Sequence, residues 1–238
     1  IKTRNGVQTE NSRQWFYIYT AQQRLESYYR LPVLAYERPV HSVGIVINGV
    51  KGGVTYMREP ISGPNFAFTG YVYGGREMSM GTFIHETAGH AFGLLGDEYS
   101  TSGFDPGQPF ETPDYEATRL RNEQKKGWYL NLSLTSDPKS VYWAHLIGHP
   151  RYPYVGVLQG GYYYAFGVWR SESYSLMENS TNFYFNTICR ELIVRRIMAL
   201  TGEEYTFDKF LAKDSDKDRP SLSKSRSQQI KDQERRHQ

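Results

Sequence analysis

The sequence has 238 residues, 39% of them hydrophobic and 15% aromatic, with 20 tyrosines: material for one large folded domain or two small ones. A net charge of +3, with basic residues spread among acids, leaves no nucleic-acid footprint, and no apolar run is long enough to span a membrane. The single cysteine, Cys189, excludes an internal disulfide and a cysteine-based zinc knuckle.

In chain order, residues 14–29 mix polar and apolar side chains and turn helical in their second half. SVGIVINGV (42–50) is β-branched and bounded by glycine, which predicts a buried strand. NFAFTGYVYGG (65–75) alternates aromatic with small residues and predicts a second strand and a turn. MSMGTFIHETAGHAFGLL (78–95) carries an apolar stripe and predicts a buried helix closed by Gly96. Residues 100–117 are rich in Pro, Gly, Ser and Thr and predict a loop. A turn and a short amphipathic piece follow at 135–148, then strand-like runs broken by glycines at 154–180. The clearest helix is NFYFNTICRELIVRRIMALTG (182–202). Its apolar Ile188, Leu192, Ile193, Ile197 and Leu200 recur at helical spacing, and Gly202 is a natural C-cap. From Lys213 the chain is charged and lacks aromatics, so residues 213–238 are expected to be a disordered tail or a solvated helix. Residues 1–212 then form one folded domain. The chain opens without a Met or a leader, which leaves an upstream domain open.

The stretch IHETAGHAFGLLGDEYS (84–100) carries the chemistry. A zinc hydrolase needs neutral imidazoles, a carboxylate base and an open coordination position. His85, Glu86 and His90 supply the first two. The spacing is unusual, since three residues separate Glu86 from His90 where zinc-protease helices have two. On an α-helix, positions five apart differ by about 140° and face nearly opposite ways. A π-bulge returns them to one face, and such bulges gather at functional sites. The spacing therefore predicts a bulge near Ala88 and Gly89, with Gly89 easing it. The arrangement is similar to the His-Glu-x-x-x-His zinc helix of dipeptidyl peptidase III-type enzymes. The alternative is an unbroken helix on which Glu86 and His90 share a face. Gly93 follows His90 where metzincins turn the chain toward their third ligand, and Asp97 and Glu98 are the candidates here, Asp97 nearer the metzincin spacing. SLM (175–177) fits the form of the metzincin Met turn, with Met177 as its methionine.

With both elements placed, the sequence resembles the IgA peptidase family of zinc metallopeptidases, metzincin-like proteins common in gut bacteria. The resemblance rests on FIHETAGHAFGLLGDEY, on GWYLNLSLTSDPKSVYWAHL (127–146) and on GGYYYAFGVWRSESYSLMEN (160–179), and covers about Ser42 to Thr201 in order. It implies an α/β fold with a metzincin-like catalytic domain in 1–212: a twisted mixed sheet, an active-site helix and a long C-terminal helix. It implies one Zn2+ per chain on His85, His90 and Asp97, with Glu98 as the other candidate, Glu86 as general base and Met177 as the Met turn. The implied function is a zinc-dependent endopeptidase that hydrolyses peptide bonds of protein or glycoprotein substrates with a metal-activated water. Secretion or surface location follows from the same family. Tyr99, Arg170, Tyr174 and Asn179 are candidates for oxyanion or substrate contacts, and NFAFTGYVY (65–73) for an upper-rim strand that binds peptide by strand addition. The rival reading is a catalytically silent metal-binding adhesin or glycoprotein-binding relative. Oligomeric state is not legible.

Overall fold

Short runs of β-branched and aromatic residues, punctuated by glycine, build the first sheet. In the computed structural model, which describes residues 41–48, 53–57, 65–71, 76–102, 107–215 and 219, the chain divides into two compact units, Ile1–Phe92 and Gly93–Gln238. The expectation for residues 14–29 lies outside the described residues. Together the units make a mixed α/β protein with two three-stranded sheets among the described residues.

In the first unit, β1 (Ser42–Asn48), β2 (Gly53–Tyr56) and β3 (Asn65–Tyr71) form a mixed sheet in the order β1-β3-β2. β1 runs parallel to β3, from Ser42 opposite Asn65 to Asn48 opposite Tyr71. β2 runs antiparallel to β3, from Gly53 opposite Thr69 to Tyr56 opposite Phe66. Two expectations are corrected by this order. β1 is not a buried strand: Val46 is 58% exposed, and among the described residues β1 pairs with β3 alone. β3 is not a free rim strand, because both of its sides are already paired. β2, four residues long, gives no sequence signal of its own.

The helix that follows begins as α1 (Arg76–Ile84) and continues as a π-helical segment, His85–Phe92. It lies close on the sheet because the strands carry glycine where it passes. A Cβ on Gly44 would meet Thr87 Cγ2 at 2.7 Å, and one on Gly53 would meet Glu86 Cγ at 2.6 Å. The segment ends at Phe92, short of the expected stop at Gly96. Gly93 makes the turn, Leu94 takes a left-handed φ of 58°, and the Asn65 amide donates to the Ala91 carbonyl at 2.8 Å, satisfying one of the acceptors a helix end leaves open.

In the second unit, α2 (Asp114–Lys125) begins inside the stretch expected to be a loop. Its sequence hides it, for Leu120 is its buried residue and no apolar stripe exists to be read. β4 (Leu132–Ser133), β5 (Leu158–Gly161) and β6 (Tyr164–Arg170) form an antiparallel sheet in the order β4-β6-β5, and a 3-10 turn spans Ala144–Leu146. α3 (Thr187–Thr201) begins five residues later than expected, capped by Asn186, whose side chain accepts from Cys189 N. It ends on Gly202 with φ 72°, as the sequence predicts. α4 (Phe207–Lys213) closes the described helices.

The core of this unit gathers Leu95, Trp143, Leu146, Tyr152, Met177, Ile188, Cys189 and Phe210. The buried face of α3 differs from the apolar stripe in one respect. Ile197 and Leu200 are exposed, whereas Glu191 is fully buried. Its carboxylate is paid for by the His145 ring, the Arg195 guanidinium and the Tyr205 hydroxyl, at 2.7–2.9 Å. Of the charged tail, Lys213 ends α4, Asp214 accepts from Arg190 and Tyr152, and Arg219 meets the buried Glu172 at 3.3 Å. Beyond Arg219 the tail lies outside the described residues. No helix among the described residues is long and apolar enough to cross a membrane.

Candidate metal centre

Where the α ladder gives way, Thr87 Oγ1 donates to the carbonyl of Phe83 at 2.5 Å, a back-bond that bends helices. From His85 to Phe92 the turn is widened to the π form, in which residues five apart come to one face. His85 and His90 accordingly lie side by side, ring centroids 4.7 Å apart and planes at 83°. The regular helix that would have paired Glu86 with His90 is absent. The donor atoms of His85, His90 and Asp97 all lie within 4.8 Å of one another, and all three residues are buried. They sit on one continuous stretch of chain. Two imidazoles and a carboxylate are a donor set that could hold a metal ion.

Glu86, next to the first ligand candidate, is buried at 5% exposure. Thr55 on β2 holds it: the hydroxyl lies 2.6 Å from Glu86 Oε2 and 3.0 Å from the Glu86 carbonyl oxygen. Gly53, two residues earlier on the same face of that strand, leaves the space the side chain fills, since a Cβ there would also come within 2.6 Å of Oε1. The carboxylate is therefore fixed by a strand that the sequence did not announce.

Asp97 and Glu98 are adjacent in extended chain and serve different ends. Asp97 Oδ2 accepts from the Tyr163 hydroxyl at 2.5 Å, and its carbonyl accepts from Tyr162 N at 2.9 Å. Glu98 points into the core, fully buried. Its carboxylate accepts from the amides of Asn131 and Asn186 at 2.8–3.0 Å and lies 3.5 Å from Cys189 Sγ. Burial pushes the Glu98 carboxyl up, against the pull of those amides, and burial with the Glu98 carboxylate pushes the Cys189 thiol well up. Glu98 is thus a packing carboxylate outside the His85, His90 and Asp97 cluster, and Cys189 is a buried, inert thiol. Burial, and after it the Asp97 carboxylate, also push the Tyr163 phenol well above its ordinary value.

Segments far apart in sequence grip the strip from Leu94 to Thr101. Tyr129 N donates to the Leu94 carbonyl at 2.8 Å. The Asn131 side chain bonds both Gly96 N and Gly96 O, at 2.8 and 2.9 Å. The Met177 carbonyl accepts from Glu98 N at 2.8 Å, from a tight turn in which Glu178 N and Asn179 N both donate to the Ser175 carbonyl. The side chain of Met177 is fully buried in the core.

The other candidate contact residues lie in the second unit, with these neighbours. Tyr99 is half-buried, its ring edge-on to Tyr163 at 5.2 Å. Arg170 donates to the carbonyls of Gln159 and Gly160 at 3.0 and 2.6 Å, within the β5–β6 hairpin. Tyr174 packs on Tyr184 at 6.4 Å. Asn179 is exposed, and its side-chain oxygen accepts from Thr181 N and Oγ1. No protein-family model matches this chain, and a search of curated proteins finds no match. Sequence reasoning missed Thr55, Asn131 and Tyr163. The one available signal was the pair of tyrosines in a hairpin turn after Gly160 and Gly161.

Proposed function

We propose that this protein is a zinc-dependent endopeptidase of metzincin-like kind, similar to the IgA peptidase family. The observation that carries the reading is the π-helical segment, which brings His85 and His90 together beside Asp97. Without it the inserted residue would disable the signature. Further support is that the segments behind the resemblance converge on one strip. Asn131 from 127–146, and Tyr162, Tyr163 and Met177 from 160–179, all hold residues 96–99.

His85, His90 and Asp97 would hold the ion. Bound there, zinc supplies Lewis acidity, which polarises a scissile carbonyl and acidifies water. Glu86 takes the proton of the attacking water on its carboxylate and returns it to the leaving amine. Thr55 keeps that carboxylate in one orientation, which a positioned base requires. A peptide strand adds to β2 on the side away from β3, where no strand is paired among the described residues. β2 suits this role because it carries Thr55 and Gly53 against Glu86. Protein or glycoprotein substrates and an exported location belong to the same reading.

A peptide-library digest with and without chelator tests it, beside metal analysis of the purified chain. Chelator-sensitive cleavage with one zinc per chain is expected. Zinc without cleavage would sink the peptidase and favour a silent metal-binding relative. Cleavage untouched by the chelator would sink the metal.

A further inference from the structure

The turn between β5 and β6 breaks its own local rule. Gly161 pairs with Tyr164, so the loop has two residues, Tyr162 and Tyr163. Their φ values are 53° and 75°, positive at both positions, the mark of a mirror-image hairpin turn. Such turns favour Asn-Gly or Gly-Gly, because an L side chain is strained there. Gly160 and Gly161, also at positive φ (100° and 152°), occupy the strand end, and two bulky aromatics occupy the turn itself. A local violation of this kind persists where the surrounding structure uses it.

What uses it is Asp97. The Tyr163 hydroxyl donates to Asp97 Oδ2 at 2.5 Å. The same turn holds the backbone on either side: Tyr162 N donates to the Asp97 carbonyl and Tyr163 N to the Tyr99 carbonyl, at 2.9 and 3.0 Å. Ser100 bridges to Tyr163, and Thr101 N donates to the Tyr163 carbonyl at 3.1 Å. The turn is itself anchored, for Arg119 Nε donates to the Tyr162 hydroxyl at 2.9 Å. Main chain and carboxylate of Asp97 are therefore gripped by one rigid turn.

We infer that Tyr163 is a positioning residue for the metal centre: its hydroxyl fixes the plane of the Asp97 carboxylate, and the strained turn exists to deliver that hydroxyl. The inference rests on the proposed metal reading and extends it to a residue outside the donor set. Groups that orient a ligand from behind commonly change metal affinity ten- to a hundredfold. Tyr162, whose hydroxyl meets Arg119 and not Asp97, is the comparison that separates loosening of the turn from loss of the bond to Asp97.

The experiment measures Zn2+ affinity by competition with a chromophoric chelator, and the visible spectrum of the Co2+-loaded protein, for wild type, Tyr163→Phe and Tyr162→Phe. Tyr163→Phe should weaken zinc about ten- to a hundredfold and shift the cobalt bands. Tyr162→Phe loosens the anchor to Arg119 but keeps the Tyr163–Asp97 hydrogen bond, so it should weaken zinc less than Tyr163→Phe and shift the cobalt bands less. Tyr163→Gly, the residue the turn prefers, serves if the Phe variant folds poorly, and should lose affinity at least as much. Wild-type affinity and spectrum in the Tyr163 variants would overturn the inference and leave the metal centre standing. So would an equal loss in Tyr162→Phe, which would mark a general weakening of the turn. A wild-type chain that binds neither ion would bring down both readings.

Discussion

At the scale of single residues, burial and hydrogen bonding separate groups that look equivalent as letters. Glu86 accepts a hydrogen bond from the Thr55 hydroxyl at Oε2 and sits beside a ligand candidate, a position that suits the proposed base. Glu86→Gln keeps the shape and removes the proposed base. Hydrolysis should fall to background while zinc stays near one per chain, read by elemental analysis; surviving activity would remove Glu86 from the mechanism. Asn186 illustrates a purely structural polar group. It caps α3 at Cys189 N and gives its amide to both oxygens of Glu98. Replacing it by Ala loses the cap and strips donors from a buried carboxylate, a cost of about 3 kcal/mol in urea unfolding. Asn186→Ser restores the cap alone and should recover about 1 kcal/mol. Equal stability of the two variants would show that the cap carries nothing.

At the scale of elements, the fit of helix to sheet depends on missing side chains. Gly53 on β2 leaves the room that Glu86 occupies, and Gly44 on β1 leaves the room for Thr87 and Phe83. Gly53→Ala puts a methyl 2.6 Å from both Glu86 Cγ and Oε1, so the carboxylate must shift. A misplaced base should cost at least about tenfold in kcat, with zinc content unchanged. Gly44→Ala presses on Thr87 and Phe83 instead and should cost about 1–3 kcal/mol of stability through overpacking. A Gly53→Ala variant with wild-type turnover would mean that the strand does not set the proposed base. The two variants thus divide one packing interface into a part that matters to chemistry and a part that matters to folding.

At the scale of the whole molecule, buried charge sets the response to acid. Burial alone would raise the Asp214 carboxyl, but Arg190 at 2.7 and 2.9 Å and the Tyr152 hydroxyl at 2.9 Å outweigh it and hold it below its usual value. Glu191 is likewise lowered against its burial, by His145, Arg195 and Tyr205. A carboxylate with a depressed folded pKa contributes stability that is present above its unfolded pKa, about 4. That contribution is lost as pH falls through the folded value. Acid should therefore loosen the packing of α3 and α4 below about pH 4. Asp214→Asn should lower stability at neutral pH and flatten the loss below about pH 4, read as denaturant midpoints against pH. An unchanged slope would show that this pair is not part of the acid response.

The sequence by itself displayed the candidate ligands and the paradox of their spacing: two histidines, a glutamate, an inserted residue and an acidic pair, with helical periodicity and Gly202 marking α3. It could do so because ligand types, periodicity and caps are local properties, written within a few residues of one another. It did not determine β2, since four residues carry no periodicity, nor α2, whose single buried leucine makes no stripe. The choice between Asp97 and Glu98 was equally out of reach, because adjacent residues of an extended chain point opposite ways and only distant partners reveal which way is which. Tertiary structure decided that Glu98 satisfies Asn131 and Asn186 while Asp97 meets Tyr163. It decided also that one turn of helix widens. Long-range contacts make those choices: strand glycines, side-chain amides and a tyrosine turn that are remote in sequence and meet only once the chain is folded.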